Sequence, residues 1–229
     1  ERIRAIAHEL VDGFVDAGSG DLVSLFTHPL PVIVICDMLG IPEEDRAEFV
    51  GGSRVNGRLI DPSPMSPEEI EESNQRSEES AAYFESICDA RRADPQDDLI
   101  TALVQSETEH GTLSKEELTS NISLLFAAGH ETTVNLMGNA LIALYRNRDQ
   151  LELLRSDLFR MPQAVEEFLR YDSSVQLTAR DALEDTEVCG IKVPRGRSVM
   201  AILAAANRDP DAFERPDELD ITREKVKPL

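Results

Sequence analysis

Cysteine, basic residues and long apolar runs are all scarce in this chain. Three cysteines occur in 229 residues, at positions 36, 88 and 189. Their spacing is irregular, which excludes a disulfide framework and a cysteine zinc site and fits a reducing cytoplasm. Lys and Arg number 23 against 44 Asp and Glu, a net charge of −21. So acidic a chain is a poor ligand for nucleic acid or an anionic membrane surface, and the plainest use of the charge is solubility. No apolar run reaches the ~20 residues that cross a bilayer, and no targeting segment is visible. There is no internal repeat.

What is present is mostly helical patterning, with length enough for one domain with a real core. Apolar residues at Ile3, Ile6, Ala7, Leu10, Val11, Phe14 and Val15 predict a helix over Arg2–Asp16 that ends at Gly18-Ser19-Gly20. Further helices are expected from Pro29 to Gly40 and from Glu43 to Val55, then a loop over 61–67. Ser66-Pro67-Glu68-Glu69 reads as a helix start, with an acidic, solvated face running to about Arg92. A short helix over 95–105 precedes Ser114-Lys115-Glu116-Glu117, the capping-box start of a long central helix. Helices over 149–157 and 161–171 follow.

After Asp172 the pattern changes to short strands at 175–182, 186–188, 191–193 and 198–200, with a short helix over 202–207. The expectation is a single domain over 1–229, mainly helical over 1–172 and built of short strands and loops over 173–229.

The central helix contains Ala128-Gly129-His130-Glu131-Thr132-Thr133. Glycine costs a helix interior ~1 kcal/mol against alanine, and threonine is a weak helix former. A carboxylate in an apolar helix needs a partner or water. Such local penalties mark sites where function overrides folding. The plain alternative is a glycine-kinked helix with a back-bonded threonine. A zinc reading fails, because His-Glu-x-x-His needs a histidine at 134, which is Val134.

The stretch resembles the distal-helix signature of cytochromes P450. Further matches follow in that family's order: Glu167-Phe168-Leu169-Arg170 for Glu-x-x-Arg, Arg180 within Gln176–Asp181, Gly190–Gly196, and Ala206-Asn207-Arg208-Asp209-Pro210 with Phe213 and Pro216. Pro29–Pro42 extends the likeness towards the soluble bacterial branch.

The resemblance implies a mainly α, partial cytochrome P450 fold, with a long central helix, a helical bundle and a small β region near the C-terminus. It implies haem b, and Glu131 and Thr132 as the acid and hydroxyl that deliver protons to oxygen. Ala128, Gly129 and Arg180 would bind the cofactor, Arg180 at a propionate. Leu124, Thr178 and Ala179 would line the substrate pocket. Glu167 and Arg170 would form a structural pair whose third partner is Arg215 or Arg223, since Glu218 stands where the family has arginine. His130 is structural or surface. An ordinary strand-end arginine and a surface ion pair are the plain alternatives for Arg180 and for Glu167–Arg170.

The family's cysteine-bearing glycine loop is not in the sequence, nor is the part of the family fold that comes before. None of the three cysteines lies in such a loop, so no metal ligand is assigned. The implied parent is a monooxygenase served by a ferredoxin- or flavodoxin-type electron donor and acting on a small organic substrate. A second reading is a haem-free truncated homologue without catalysis, at most an interaction or folding unit. Apolar faces left uncovered predict self-association.

Overall fold

Helix boundaries follow the capping residues closely. In the computed structural model, which describes residues 1–50, 65–106, 111, 113–224 and 228, α1 spans Arg2–Asp12. It stops short of the expected Asp16 because Gly13 caps it, and Val15–Ala17 forms a separate 3-10 turn closed by Gly18 at φ 72°. A single π turn over Val23–Thr27, which no local pattern announced, leads into α2, Pro29–Leu39.

Gly40 ends α2 at φ 73°. A Cβ there would also lie 2.7 Å from the Asp98 Cβ, so both backbone hand and close approach call for glycine. Asp98 in turn caps α5, Leu99–Gln105, by accepting from the Thr101 N–H at 2.7 Å, and it pairs with Arg91.

α3 covers Glu43–Val50. Its expected continuation over 51–55, and residues 61–64 of the expected loop, lie outside the described residues. α4 runs Pro67–Ala93 with the complete capping box: the Glu69 N–H donates to Ser66 Oγ and the Ser66 N–H to Glu69 Oε2. α6, Lys115–Arg146, starts with the same reciprocal pair between Ser114 and Glu117. α7 is Arg148–Ser156 and α8 is Met161–Tyr171, separated by a 3-10 turn at Leu158–Arg160.

Two antiparallel ladders complete the chain. β1, Thr178–Asp181, pairs with β4, Ser198–Ala201, with Thr178 opposite Ala201. β2, Thr186–Val188, and β3, Ile191–Val193, form a hairpin whose two turn residues, Cys189 and Gly190, have φ of 50° and 81°. β1 is shorter than expected because residues 173–176 fold on themselves: Ser173 Oγ donates to the Val175 carbonyl and Gln176 Nε2 to the Ser173 carbonyl. α9 is a single turn, Leu203–Ala206. The mainly helical architecture with a small β region is the one expected. Among the described residues, no helix is long and apolar enough to cross a membrane.

The chain divides into two compact units, Glu1–Val134 and Asn135–Leu229. The first buries Val32, Leu39, Ile100 and Ile122 around an aromatic group in which Phe49 lies 4.8 Å from Phe126 and 5.3 Å from Tyr83. The second has its own smaller apolar cluster, with Leu144, Leu154, Phe168 and Ile221.

Candidate functional site

The irregular composition of α6 has visible consequences between Phe126 and Val134. His130 Nδ1 lies 2.7 Å from the Phe126 carbonyl, Thr132 Oγ1 donates to the Ala128 carbonyl at 3.1 Å, and Thr133 Oγ1 to the Gly129 carbonyl at 3.5 Å. Side chains that bond back one turn compete with the helix ladder and loosen it. Gly129 faces α2: a Cβ there would sit 3.1 Å from Ile35 Cδ1. A close helix contact therefore explains the glycine alongside any need of a ligand.

Glu131 Oε2 is buried and has no hydrogen-bond partner among the described residues. An oxygen left in that state costs free energy unless water or a ligand meets it. His130 is half-buried, and burial lowers its pKa despite its bond to the Phe126 carbonyl. Its structural role agrees with the sequence reading. Leu124 lies exposed on the same helix.

The second unit is built around charge. Glu167 and Arg170, both 0% exposed, meet through two hydrogen bonds of 2.8 Å. Arg170 also donates to the carbonyls of Asn207, Pro216 and Glu218 at 2.9, 2.7 and 3.0 Å. The Asp220 N–H donates to Glu167 Oε1 at 3.0 Å, and Arg223 Nε approaches Glu167 Oε2 at 3.3 Å. Arg223, not Arg215, is thus the third partner. Arg215 instead pairs with the exposed Glu218 side chain at 2.8 Å. The surface ion-pair alternative is excluded, since this pair is wholly buried.

Arg180 lies exposed on β1, where Nη1 donates to Thr178 Oγ1 at 2.8 Å and to the Ala179 carbonyl at 2.7 Å. The structure therefore joins three predicted residues, Thr178, Ala179 and Arg180, on one strand. Among the described residues Arg180 has no carboxylate at ion-pair distance.

Comparison with known proteins decides what this arrangement belongs to. The cytochrome P450 family model matches residues 59–223. The chain belongs to the cytochrome P450 family.

A Xylella fastidiosa protein named as a cytochrome P450 (133B1) is 46% identical over 220 residues, which is 96% of this chain and 54% of the relative. The vitamin D(3) 25-hydroxylase of Pseudonocardia autotrophica is 42% identical over 97% of this chain and 54% of its own length. The solved structure of P450BioI with a hexadec-9Z-enoic acid-ligated acyl carrier protein has a TM-score of 0.93 and 37% identity, covering 100% of this chain and 58% of that one. The chain thus spans about half the length of the curated P450 relatives it matches.

The P450 family implies haem, and each unit taken by itself has one group that such a cofactor or its water would suit. The Arg180 guanidinium lacks a carboxylate among the described residues, and Glu131 Oε2 lacks a donor. A propionate and an ordered water would satisfy them. The thiols do not fit the ligand role. Burial pushes the Cys36 thiol up to about 12 and raises that of Cys88, so neither is a thiolate near neutrality. Cys189 is exposed at the tip of the β2–β3 hairpin. Among the described residues no three His, Cys, Asp or Glu side chains cluster to hold a metal.

Sequence reasoning missed Ile35, which meets Gly129, and the three carbonyls that seat Arg170. An isoleucine in an apolar run gives no signal of its partner, and backbone acceptors give none at all.

Proposed function

We propose that this protein is a cytoplasmic haem-thiolate monooxygenase that inserts one atom of dioxygen into a small organic substrate, with electrons from a ferredoxin- or flavodoxin-type donor. The observation that carries the reading is on α6, where Glu131 has a buried carboxylate oxygen without a partner among the described residues and the next residue, Thr132, has its hydroxyl bonded back to the Ala128 carbonyl. When bound, haem b would supply dioxygen activation, and none of Cys36, Cys88 and Cys189 is assigned as its thiolate ligand.

This chain's own residues move protons and hold the cofactor. As an acid, Glu131 would give its proton to a water and regain one from solvent, and the Thr132 hydroxyl, rotated away from the Ala128 carbonyl, would pass a proton on from that water while taking one up in turn. Arg180 would hold a haem propionate, for which a guanidinium's paired N–H groups are suited. In the first unit Ala128 and Gly129 would contact the cofactor and Leu124 the substrate; in the second, Thr178 and Ala179 would contact substrate. Glu167 and Arg170 hold the fold and take no part in chemistry.

The alternative of a non-catalytic interaction unit is not favoured, because the curated relatives are named as cytochromes P450 and hydroxylases. The chain also self-associates in our reading, through exposed apolar side chains such as Ile142 and Tyr145, 52% and 68% exposed. A monomeric mass by light scattering would count against that.

The decisive experiment is Glu131→Gln in the haem-loaded protein. Loss of a general acid lowers turnover about 100-fold or more, with haem content and substrate binding unchanged. Undiminished turnover removes Glu131 from the proton path. A reduced carbon-monoxide difference spectrum of this chain with added haem tests the ligand assignment, which a thiolate-type band would overturn.

A further inference from the structure

His28 and His130 meet edge to face, with ring centroids 6.3 Å apart and planes at 87°. They come from different helices. His28 heads α2, makes no side-chain cap bond, and uses its backbone N–H to bond the Val23 carbonyl at 2.9 Å. His130 lies on α6 beside Gly129, whose backbone is already in close contact with Ile35 of α2. The two imidazoles therefore close the contact between the first turn of α2 and the middle of α6.

The proton on His130 is located by chemistry. A carbonyl oxygen only accepts, so the 2.7 Å approach of Nδ1 to the Phe126 carbonyl puts the proton on Nδ1. Nε2 then carries the lone pair. The ring also packs on Phe126, 4.9 Å between centroids. Acidification adds the second proton at Nε2 of a half-buried ring that has another imidazole as its neighbour. That second imidazole stands at the N-terminus of α2, the positive end of the helix dipole. Two effects thus oppose the charge on His130: desolvation first, then the neighbouring His28.

We infer that His28 and His130 form an acid-sensitive latch that holds the first turn of α2 against α6 beside Glu131 and Thr132.

The titratable groups acting on His130 are Glu131 on its own helix, which favours its charge, and His28 from α2, which opposes it. Burial outweighs the attraction, and the pKa falls below 6.5. The packed state therefore binds the proton less tightly than the open one. The latch is fully held above 6.5 and weakens as pH falls below that value. Its release frees a stretch of α6 whose ladder already competes with the Thr132 and Thr133 hydroxyls. The inference stands on the packing of the two rings and the burial of His130, so it survives or fails separately from the roles proposed for Glu131 and Thr132.

Amide hydrogen exchange of the full chain, read peptide by peptide and corrected for intrinsic rates, tests it. Between about pH 7.5 and about pH 5.5, where histidines titrate, exchange over 29–35 and 126–134 rises several-fold. The rise disappears in His130→Gln, whose amide can still donate to the Phe126 carbonyl. It persists over the same range if the latch does not exist. Should that variant fail to fold, histidine ring NMR gives a second reading. His130 in the unmodified chain titrates below 6.5, and His28→Gln moves its midpoint upward by removing the like charge. An unmoved midpoint overturns the inference.

Discussion

In Glu1–Val134 the largest wholly buried side chains include Phe84, Phe126, Ile100 and Ile122; in Asn135–Leu229 they include Arg170 and Glu167. The first interior is held by apolar area, which has no preferred direction and tolerates reshuffling at constant volume. The second is held by a guanidinium seated in one carboxylate and three carbonyls, where a missing partner strands a charge. The same chain therefore contains one interior that degrades gradually under mutation and one that fails abruptly.

The sharpest way to break the comparison is Glu167→Ala. It leaves Arg170 buried without its carboxylate and costs about 3–5 kcal/mol, read as a fall in the denaturation midpoint with early loss of protection over α8. Arg170→Lys should also fail, since lysine cannot make the fork of bonds. Ile122→Ala comes next, at about 2–5 kcal/mol for a wholly buried isoleucine. Ile122→Leu keeps the volume and should cost less than about 1.5 kcal/mol. If the conservative changes at 122 and 170 prove equally harmful in urea melts, the distinction between the two interiors is lost.

Arg223→Ala probes the rim of the charged interior. Its contact with Glu167 is longer, at 3.3 Å, and the side chain is 10% exposed. Loss of a charged hydrogen bond of this kind costs about 1.5–3 kcal/mol. Arg215→Ala should change stability by under about 1 kcal/mol, because its pair with Glu218 is on the surface.

The smallest effect is an acid slope. Burial pushes the Asp98 carboxyl up, but the Thr101 N–H and the Arg91 guanidinium outweigh it and hold the pKa below 3.8. A depressed carboxyl stabilises the fold above its unfolded value and loses that contribution as pH falls through the folded value. Asp98→Asn should therefore flatten acid unfolding of the first unit below about pH 4, with little change near neutrality beyond the lost Arg91 pair.

Local signals were legible and path-dependent ones were not. Ser66 and Ser114 each announce a helix because the cap and its glutamate lie three residues apart. The Cys189-Gly190 hairpin and the Glu167–Arg170 pair are equally local. The π turn at Val23–Thr27 is not, since its geometry depends on how α1 and α2 pack. Arg215 and Arg223 were indistinguishable in sequence. Only the course of residues 214–223, with Arg215 itself at φ 47°, turns one outward and brings the other to Glu167. Within the candidate site, the Glu131–Thr132 segment stood out by composition, while its neighbours His28 and Ile35 come from a distant helix and carried no mark.

The cysteines allow a use unrelated to iron. Cys36 and Cys88 are buried with raised pKa values, whereas Cys189 stands exposed at a hairpin tip. A thiol-directed fluorophore or spin label added near neutral pH will attach at Cys189 and spare the other two. The chain thus carries a built-in reporter position on its C-terminal unit, and the abrupt failure expected of that unit's charged interior can be watched by itself, without introducing or removing a single residue.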